Sequence, residues 1–108
     1  MDNFSTGFIS NIKEFERFPN FELFEADILD VEACVKATKD IDYVSHQAAL
    51  GSVPRSISDP ETTNNVNCCG FLNMLTAAAK SHVIKGFVYA SSSSVYGDSP
   101  ILPKKENV

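Results

Sequence analysis

The sequence of 108 residues lacks the features that mark several large classes of protein. It has no basic stripe, and its formal net charge of −5 argues against nucleic acid as the main partner. No basic-then-apolar leader follows Met1, and no apolar run approaches the length of a membrane span. We therefore expect neither a nucleic acid nor a membrane among the partners of this chain.

Cysteine is scarce and irregularly placed. The three cysteines, Cys34, Cys68 and Cys69, have neither CxxC spacing nor a Cys/His ligand pattern, so no metal site is predicted. The adjacent pair is typical of two small helix residues, one of which faces the core. Cysteine usage of this kind favours a reduced, cytoplasmic location. A GxSxG elbow is absent as well, which argues against a serine hydrolase.

Alternating strand and helix signals indicate a single α/β domain over residues 1–108. Apolar residues make up 44% of the chain and charged residues 21%, as in ordinary soluble domains. Strand character is present at 21–28, at 43–49 and at 85–89, and helices are predicted between these segments. Connections of ten or more residues favour parallel strands joined by right-handed crossovers. The pattern predicts part of a doubly wound parallel sheet.

Two helices have recognisable starts. Asp30 can cap the first helix, and Asp59 followed by Pro60 can start the second, which ends near His82. Helical spacing predicts the buried side of each. The predicted rows are Val31, Cys34, Val35 and Thr38 in the first helix, and Cys68, Phe71, Leu72, Leu75 and Ala79 in the second.

Small or polar residues end each predicted strand, at Ala26-Asp27, at 47–49 and at 91–94. The four serines at 91–94 are poor strand and core residues, because each hydroxyl needs a partner once it leaves water. A serine-rich loop start, followed by a turn at Gly97-Asp98, is the simplest interpretation. Because the carboxyl ends of parallel strands share the edge where such sheets bind nucleotides, a ligand site is the alternative.

Individual residues near these ends allow two interpretations each. Asp2 could accept hydrogen bonds from ribose hydroxyls or be a solvated surface acid, and Asp27 could hold an adenine edge or form a turn. Ala48-Ala49 leaves room for a ligand or for helix–sheet packing. Asn67 could tie neighbouring strands together or be exposed. His46 is more typical of a satisfied strand-end histidine than of a base.

Six short motifs occur in an order that resembles one family. They are Asp2-Asn3-Phe4-Ser5-Thr6-Gly7, Ala26-Asp27-Ile28, His46-Gln47-Ala48-Ala49, Asp59-Pro60, Asn67-Cys68-Cys69-Gly70 and Ser91-Ser92-Ser93-Ser94-Val95-Tyr96-Gly97-Asp98. Together they resemble the extended short-chain dehydrogenase/reductase family, and within it the NAD-dependent sugar-nucleotide epimerases and dehydratases. This resemblance implies a partial Rossmann fold that carries strands three to five and their crossover helices.

The resemblance also implies a role for each matching residue. NAD would be bound by Asp2, Asn3, Ser5, Thr6, Gly7, Asp27, Ile28, Gln47, Ala48, Ala49, Asn67 and Ser91. A UDP-sugar would be bound by Gly51, Ser52, Ser93 and Ser94, with Ser92 as the catalytic hydroxyl that holds the oxygen at C4. The implied reaction is transient oxidation to a 4-keto sugar and return of the hydride to its other face. The full-length enzymes would be homodimers.

The stretch at 46–56 is similar to the subgroup that epimerises UDP-N-acetylhexosamines and their uronic acids at C4, for surface-polysaccharide precursors. Many simple galactose epimerases carry a lysine at the position of Gly51, and a glycine there suits an acetamido sugar. Dehydratases of the family usually carry Thr-Asp-Glu from the position of Ser92. The run Ser92-Ser93-Ser94 has no acid, which disfavours dehydration.

Parts that the family requires are not recognised here: the GxxGxxG turn, the first two strands, the substrate domain and the catalytic Tyr-x-x-x-Lys. Tyr43, Tyr89 and Tyr96 are followed four residues later by Gln47, Ser93 and Pro100. We therefore expect the chain to be part of a longer epimerase, inactive by itself, weak in NAD binding and marginal in folding. The alternative is a non-catalytic nucleotide-binding or dimerisation module that uses the helix at 60–80.

Overall fold

A pair of parallel strands forms the centre of the molecule. The computed structural model describes residues 1–82 and 84–107. In it, β1 (Tyr43–His46) pairs with β2 (Gly86–Tyr89), so that Tyr43 lies opposite Gly86 and His46 opposite Tyr89. The predicted parallel pairing of these segments and the α/β class are confirmed. Pairing of β1 stops at His46, short of the predicted 49, because β2 ends at Tyr89.

Helices flank and connect the two strands. One helix precedes β1, and the connection from β1 to β2 is largely helical. Their bounds are α1 (Val31–Ala37), α2 (Val53–Ser58), α3 (Pro60–Asn64), a π-helical turn (Asn65–Gly70) and α4 (Phe71–Lys80). Short 3₁₀ turns occur at Ile9–Asn11 and Ser93–Tyr96.

The strand predicted at 21–28 is wrong in extent. Within the described residues this segment pairs at one point only, a parallel bridge between Asp2 and Glu25. The amide of Asp2 donates to the carbonyl of Phe24 at 3.2 Å, and the amide of Ala26 donates to the carbonyl of Asp2 at 3.1 Å. Phe4 then adopts a φ of 53°, a left-handed conformation that turns the chain away. The residues at 21–28 favour a strand, but the ladder ends because the partner segment at Asp2 turns away after one residue.

Both predicted helix starts are confirmed. The Asp30 carboxylate accepts a hydrogen bond from the amide of Ala33 at 3.1 Å, and the Asp59 carboxylate accepts one from the amide of Thr62 at 3.2 Å. These bonds satisfy amides that have no partner inside the first turn of a helix. Hydrogen bonding by the side chain of Thr62, and then by its amide, holds the pKa of Asp59 below its ordinary value, since these bonds favour the carboxylate.

The predicted buried faces are only partly right. In α1, Cys34 and Thr38 are buried, whereas Val31 and Val35 are more than half exposed. In the long helix at 60–80 the buried row is Gly70, Met74, Ala77 and Ala78. Of the predicted row, Phe71 is half-buried, whereas Cys68, Leu72, Leu75 and Ala79 are exposed. Both rows have helical spacing, so periodicity alone could not select between them. The smaller side chains lie inward because α1 and Ile28 pack closely against this helix.

The core lies between one face of the sheet and the helices. Ile28, Cys34, Met74 and Ala77 form its centre, and Val44, Val66 and Phe87 pack against them. On the other face of the sheet, Tyr43 and Val88 are each about two-thirds exposed. Parallel sheets are normally covered on both faces. The described part of the chain therefore covers its sheet on one side only.

Candidate functional site

A groove opens between the segment around Glu25 and strand β1. Its cavity measures about 620 Å³. The first wall comprises Asp2, Asn3, Ser5, Thr6, Gly7 and residues 26–29, and the second comprises residues 43–50. Thr62, Val66 and Met74 contribute from the helices. The groove therefore brings together most of the residues that the sequence suggested for a cofactor.

Asp27 organises the first wall through its carboxylate. One oxygen accepts a hydrogen bond from the amide of Leu29 at 2.8 Å, and the other accepts one from Nδ2 of Asn3 at 3.0 Å. The carboxylate of Asp2 accepts from the amide of Phe4 at 2.8 Å, and Asn3 Oδ1 accepts from the amide of Ser5 at 3.1 Å. The interpretation of Asp27 as a turn-forming residue is therefore confirmed, and this turn is part of the groove wall.

Asn67 anchors the second wall from behind. Its Oδ1 accepts a hydrogen bond from the amide of Leu50 at 2.7 Å, and its Nδ2 donates to the carbonyl of Leu50 at 3.0 Å. Asn67 is half-buried, so the alternative of an exposed asparagine is wrong. The segment it holds contains Gln47, Ala48 and Ala49, whose side chains are exposed along the groove.

The serine run begins at the same edge of the sheet. The amide of Ala90 donates to the carbonyl of His46 at 3.1 Å, so the segments that follow β1 and β2 begin side by side. Ser91 to Ser94 follow this point directly and are exposed. Ser91 and Asn67 are not among the residues that line the groove.

Ser92 is the cap of the 3₁₀ turn at Ser93–Tyr96. Its Oγ accepts a hydrogen bond from the amide of Ser94 at 3.2 Å and lies 3.0 Å from Oγ of Ser94, to which it donates. Gly97 follows with a φ of 58°, in agreement with the predicted turn at Gly97-Asp98. The serine run is therefore a loop start with a defined local fold, and its hydroxyls remain accessible.

Gly51 and Ser52 lie beyond the second wall. A Cβ placed on Gly51 would have no neighbouring atom within 4 Å, so the space beside it is open. Ser52 caps α2, since its Oγ accepts a hydrogen bond from the amide of Arg55 at 3.2 Å. Both residues follow the carboxyl end of β1, on the edge that the serines share.

His46 is a packing residue rather than a base. Its buried ring stacks against Phe87 at 6.1 Å between centroids and meets the edge of Phe71 at 5.3 Å. Burial lowers its pKa below the ordinary value, so the ring is neutral near pH 7. The interpretation of His46 as a satisfied strand-end histidine therefore agrees with its surroundings.

The cysteines differ from the sequence expectation in one respect. Cys68 and Cys69 are both exposed, so neither faces the core. Cys34 is fully buried, its Sγ lies 3.3 Å from the carbonyl oxygen of Ile28, and burial raises the pKa of its thiol. Among residues 1–82 and 84–107, no three His, Cys, Asp or Glu side chains are grouped to hold a metal. No helix in the same ranges is both long and apolar enough to cross a membrane.

Sequence reasoning missed Asn73. This half-buried residue of α4 donates from Nδ2 to the carbonyl of Ile28 at 3.0 Å, across 45 residues of chain. The available signal was a polar amide three residues after Gly70, close to the small residues of the buried row. Helical spacing predicted the row of small residues to be exposed, so nothing in the sequence indicated a buried partner for the amide of Asn73.

Known proteins are similar to this chain in sequence and in fold. A family model described as the NAD dependent epimerase/dehydratase family matches residues 3–108. A UDP-glucose 4-epimerase of Mycolicibacterium smegmatis is 33% identical over 109 residues, which is 100% of this chain and 35% of that protein. The chain thus spans about a third of the length of the curated epimerases that it matches.

Two solved structures are similar in fold as well. A UDP-N-acetylglucosamine 4-epimerase from Methanobrevibacter ruminantium M1, in complex with UDP-N-acetylmuramic acid, has a TM-score of 0.78 and 38% identity over 97% of this chain and 33% of its own. A UDP-glucose-4-epimerase from Stenotrophomonas maltophila, with bound NAD and formylated UDP-arabinopyranose, has a TM-score of 0.78 and 28% identity over 97% of this chain and 32% of its own. Both are Rossmann-fold epimerases, which confirms the predicted fold class.

Proposed function

Since this chain belongs to the NAD-dependent epimerase/dehydratase family, we propose that it forms the adenosine end of an NAD site and part of a sugar site in an enzyme that inverts C4 of UDP-N-acetylhexosamines. The supporting observation is the shared edge of the sheet, where residues 47–50 and 90–94 leave β1 and β2 side by side. A cofactor in the groove and a sugar beside Ser92 would meet at this edge.

The groove fits the adenosine end of a dinucleotide. Asp2 and Asp27 provide carboxylates on the first wall, and Ala48 and Ala49 leave room along the second. A carboxylate at a strand tip accepts hydrogen bonds from ribose hydroxyls, and small side chains let the backbone approach the ligand. Asp2 would bind the ribose, and Asp27 with Ile28 would flank the adenine. The chemistry that bound NAD supplies is hydride transfer at C4 of the sugar.

Ser92 would hold the C4 oxygen of the sugar. Its Oγ already accepts the amide hydrogen of Ser94, which fixes the oxygen and leaves the hydroxyl hydrogen free to be donated. Oγ of Ser94 lies 3.0 Å from Oγ of Ser92, and a sugar oxygen would take the place of this exposed acceptor. Ser93, Ser94, Gly51 and Ser52 would shape the sugar pocket around it.

The proton acceptor of the reaction would come from other residues. Each tyrosine in the chain lacks a lysine four residues later, so none matches the family's Tyr-x-x-x-Lys pair. A general base must lie within hydrogen-bond reach of the proton that it removes. We therefore propose that the 108-residue chain does not turn over substrate by itself and acts within a longer polypeptide.

The glycine at position 51 supports an N-acetylhexosamine over a plain hexose, because an acetamido group needs room that a larger side chain would fill. The similarity to the M. ruminantium UDP-N-acetylglucosamine 4-epimerase, at 38% identity, points in the same direction. The absence of an acid in Ser92-Ser93-Ser94 supports epimerisation over dehydration.

Pairing of two copies would use the exposed apolar row of the long helix. Leu72 is 59% exposed and Leu75 is 38% exposed, and Cys68 and Ala79 extend the row in both directions. Exposed apolar stripes of this kind mark interfaces between proteins. We propose that this row forms a homodimer contact in the complete enzyme.

The experiment that tests the function uses the complete gene product that carries these residues. Conversion of UDP-N-acetylglucosamine to UDP-N-acetylgalactosamine is measured for the wild type and for Ser92→Ala. Loss of the hydroxyl donor should lower kcat by about 100-fold or more. Ser10→Ala, which changes an exposed serine remote from the serine run in sequence, is the matched control and should keep full activity. Full activity of Ser92→Ala would contradict the proposed role.

A further inference from the structure

The carbonyl of Ile28 is held from two helices at once. Nδ2 of Asn73, on α4, donates to it at 3.0 Å, and Sγ of Cys34, on α1, donates to it at 3.3 Å. A carbonyl oxygen has two lone pairs, so both donors can be accommodated. Ile28 is only 9% exposed, and Cys34 is fully buried. The position of this backbone oxygen is therefore fixed by long-range contacts.

The side chain of Ile28 is fixed by the same stretch of helix. A Cβ added to Gly70 would lie 2.5 Å from Cδ1 and 2.6 Å from Cγ1 of Ile28, which shows how closely the side chain approaches the helix backbone. Gly70 and Asn73 are three residues apart, and they hold the side chain and the backbone of one residue. Ile28 is thus a fixed point where the wall of the groove meets the helix.

The residues next to Ile28 form the part of the groove assigned to adenine. Asp27 precedes it, and the amide of Leu29, which follows it, donates to the Asp27 carboxylate at 2.8 Å. All three residues line the groove. A planar base is recognised through hydrogen-bonding edges and a slot of set width, so affinity depends on a wall that is ordered before the ligand arrives.

We propose that Asn73 is a positioning residue for the adenosine end of the groove. It acts through the carbonyl of Ile28 and keeps residues 27–29 in the conformation that receives adenine. This inference rests on the proposed cofactor function of the groove, and it adds a residue that does not itself line the groove.

The choice of side chain supports a positioning role over a packing role. Asparagine is a poor helix former, and a half-buried amide must be paired to avoid a desolvation penalty. The neighbouring buried positions, Met74, Ala77 and Ala78, are apolar and good helix formers. An apolar residue at position 73 would serve packing better, whereas only a donor can hold the Ile28 carbonyl.

The test measures AMP binding to the complete gene product that carries these residues, by isothermal titration calorimetry. Asn73→Ala removes the donor. Asn73→Asp keeps the shape but places a carboxylate against the Ile28 carbonyl. Both variants should weaken AMP binding about five- to tenfold, as expected for a lost hydrogen bond that orders the site.

Ser81→Ala is the matched control. Ser81 Oγ donates to the carbonyl of Thr38 at 3.2 Å, so this variant also removes a long-range side-chain-to-carbonyl bond, to a groove residue outside the segment at 27–29. It should lower the urea midpoint of unfolding much as Asn73→Ala does, while AMP affinity changes by less than about twofold.

Three results would overturn the inference. They are unchanged AMP affinity in Asn73→Ala, unchanged affinity in Asn73→Asp, and an equal loss in Ser81→Ala, which would show general loosening instead of positioning. Failure of the wild-type complete gene product to bind AMP at millimolar concentration is a different outcome, because it would remove the proposed adenosine site itself.

Discussion

The side-chain amide of Asn67 closes two hydrogen bonds on the backbone of Leu50, accepting at 2.7 Å and donating at 3.0 Å. This pairing copies the way that two strands exchange bonds, and it attaches the loop after β1 to the crossover helix. Ala48 and Ala49 lie directly before the attached residue, on the wall of the groove. The loop that would face a cofactor is therefore held in place by a residue 17 positions away in sequence.

Replacing Asn67 should destabilise the protein. Asn67→Asp keeps the acceptor but loses the donor and sets a carboxylate against the Leu50 carbonyl, which should cost about 1–3 kcal/mol. The free energy of unfolding in urea measures this. Asn64→Ala, an exposed asparagine on the same helix, should change it by less than about 0.5 kcal/mol. Equal stability of Asn67→Asp and the wild type would show that the pair contributes nothing.

The effect of Gly70→Ala on the free energy of unfolding should reverse in sign when Ile28 is replaced by alanine. In the wild type, Gly70→Ala forces a Cβ to 2.5 Å from Cδ1 of Ile28, and overpacking of this kind costs about 1–3 kcal/mol. In an Ile28→Ala background the obstructing atoms are absent, so the better helix propensity of alanine, about 1 kcal/mol, should dominate. A double-mutant cycle measured by urea unfolding tests the coupling. Additive effects of the two changes would contradict the contact.

His46 should make stability depend on pH below neutrality. Burial lowers its pKa in the folded state, so the unfolded chain takes up the proton first as the pH falls through about 6.5. Above that pH both states are neutral and His46 contributes no pH dependence. Below it, the free energy of unfolding should decrease until the folded-state pKa is passed.

His46→Phe, which keeps an aromatic ring between Phe71 and Phe87, should remove this component of the pH dependence. His82→Asn is the control, and it should retain the component. Free energies of unfolding measured from pH 8 to pH 5 test whether His46 causes this pH dependence. An identical pH profile in the wild type and in His46→Phe would show that the buried ring is not the group that titrates.

The apolar row of the long helix should control self-association of the complete gene product. Leu72→Glu places a charge in the centre of the exposed row and should shift a dimer to monomer in sedimentation velocity. Val31→Glu is the matched control, because Val31 on α1 is similarly exposed, at 57% against 59% for Leu72. Dimers that persist in Leu72→Glu would place the contact elsewhere.

The features that sequence predicted well are local or periodic. The caps at Asp30 and Asp59, the turn at Gly97 and the parallel pairing of the two later strands each depend on neighbouring residues or on spacing between segments. These features depend on nearby residues or on the spacing of segments, so the tertiary contacts of the remaining chain do not change them.

The features that sequence missed depend on tertiary partners. The segment at 21–28 has strand composition, but its ladder ends because Phe4 turns away from it. The long helix has two rows at helical spacing, and only the close approach of Ile28 and α1 selects the smaller row. Asn73 went unnoticed because its partner is a backbone carbonyl 45 residues away, which leaves no trace in composition or periodicity.

The most direct test of the proposed function is the reaction itself, run in D₂O with the complete gene product and UDP-N-acetylglucosamine. Hydride that leaves C4 and returns to it never exchanges with solvent. Transfer of the same hydride away from C4 and back predicts UDP-N-acetylgalactosamine that carries no deuterium at C4. Deuterium at C4, or no inversion of C4 at all, would contradict it.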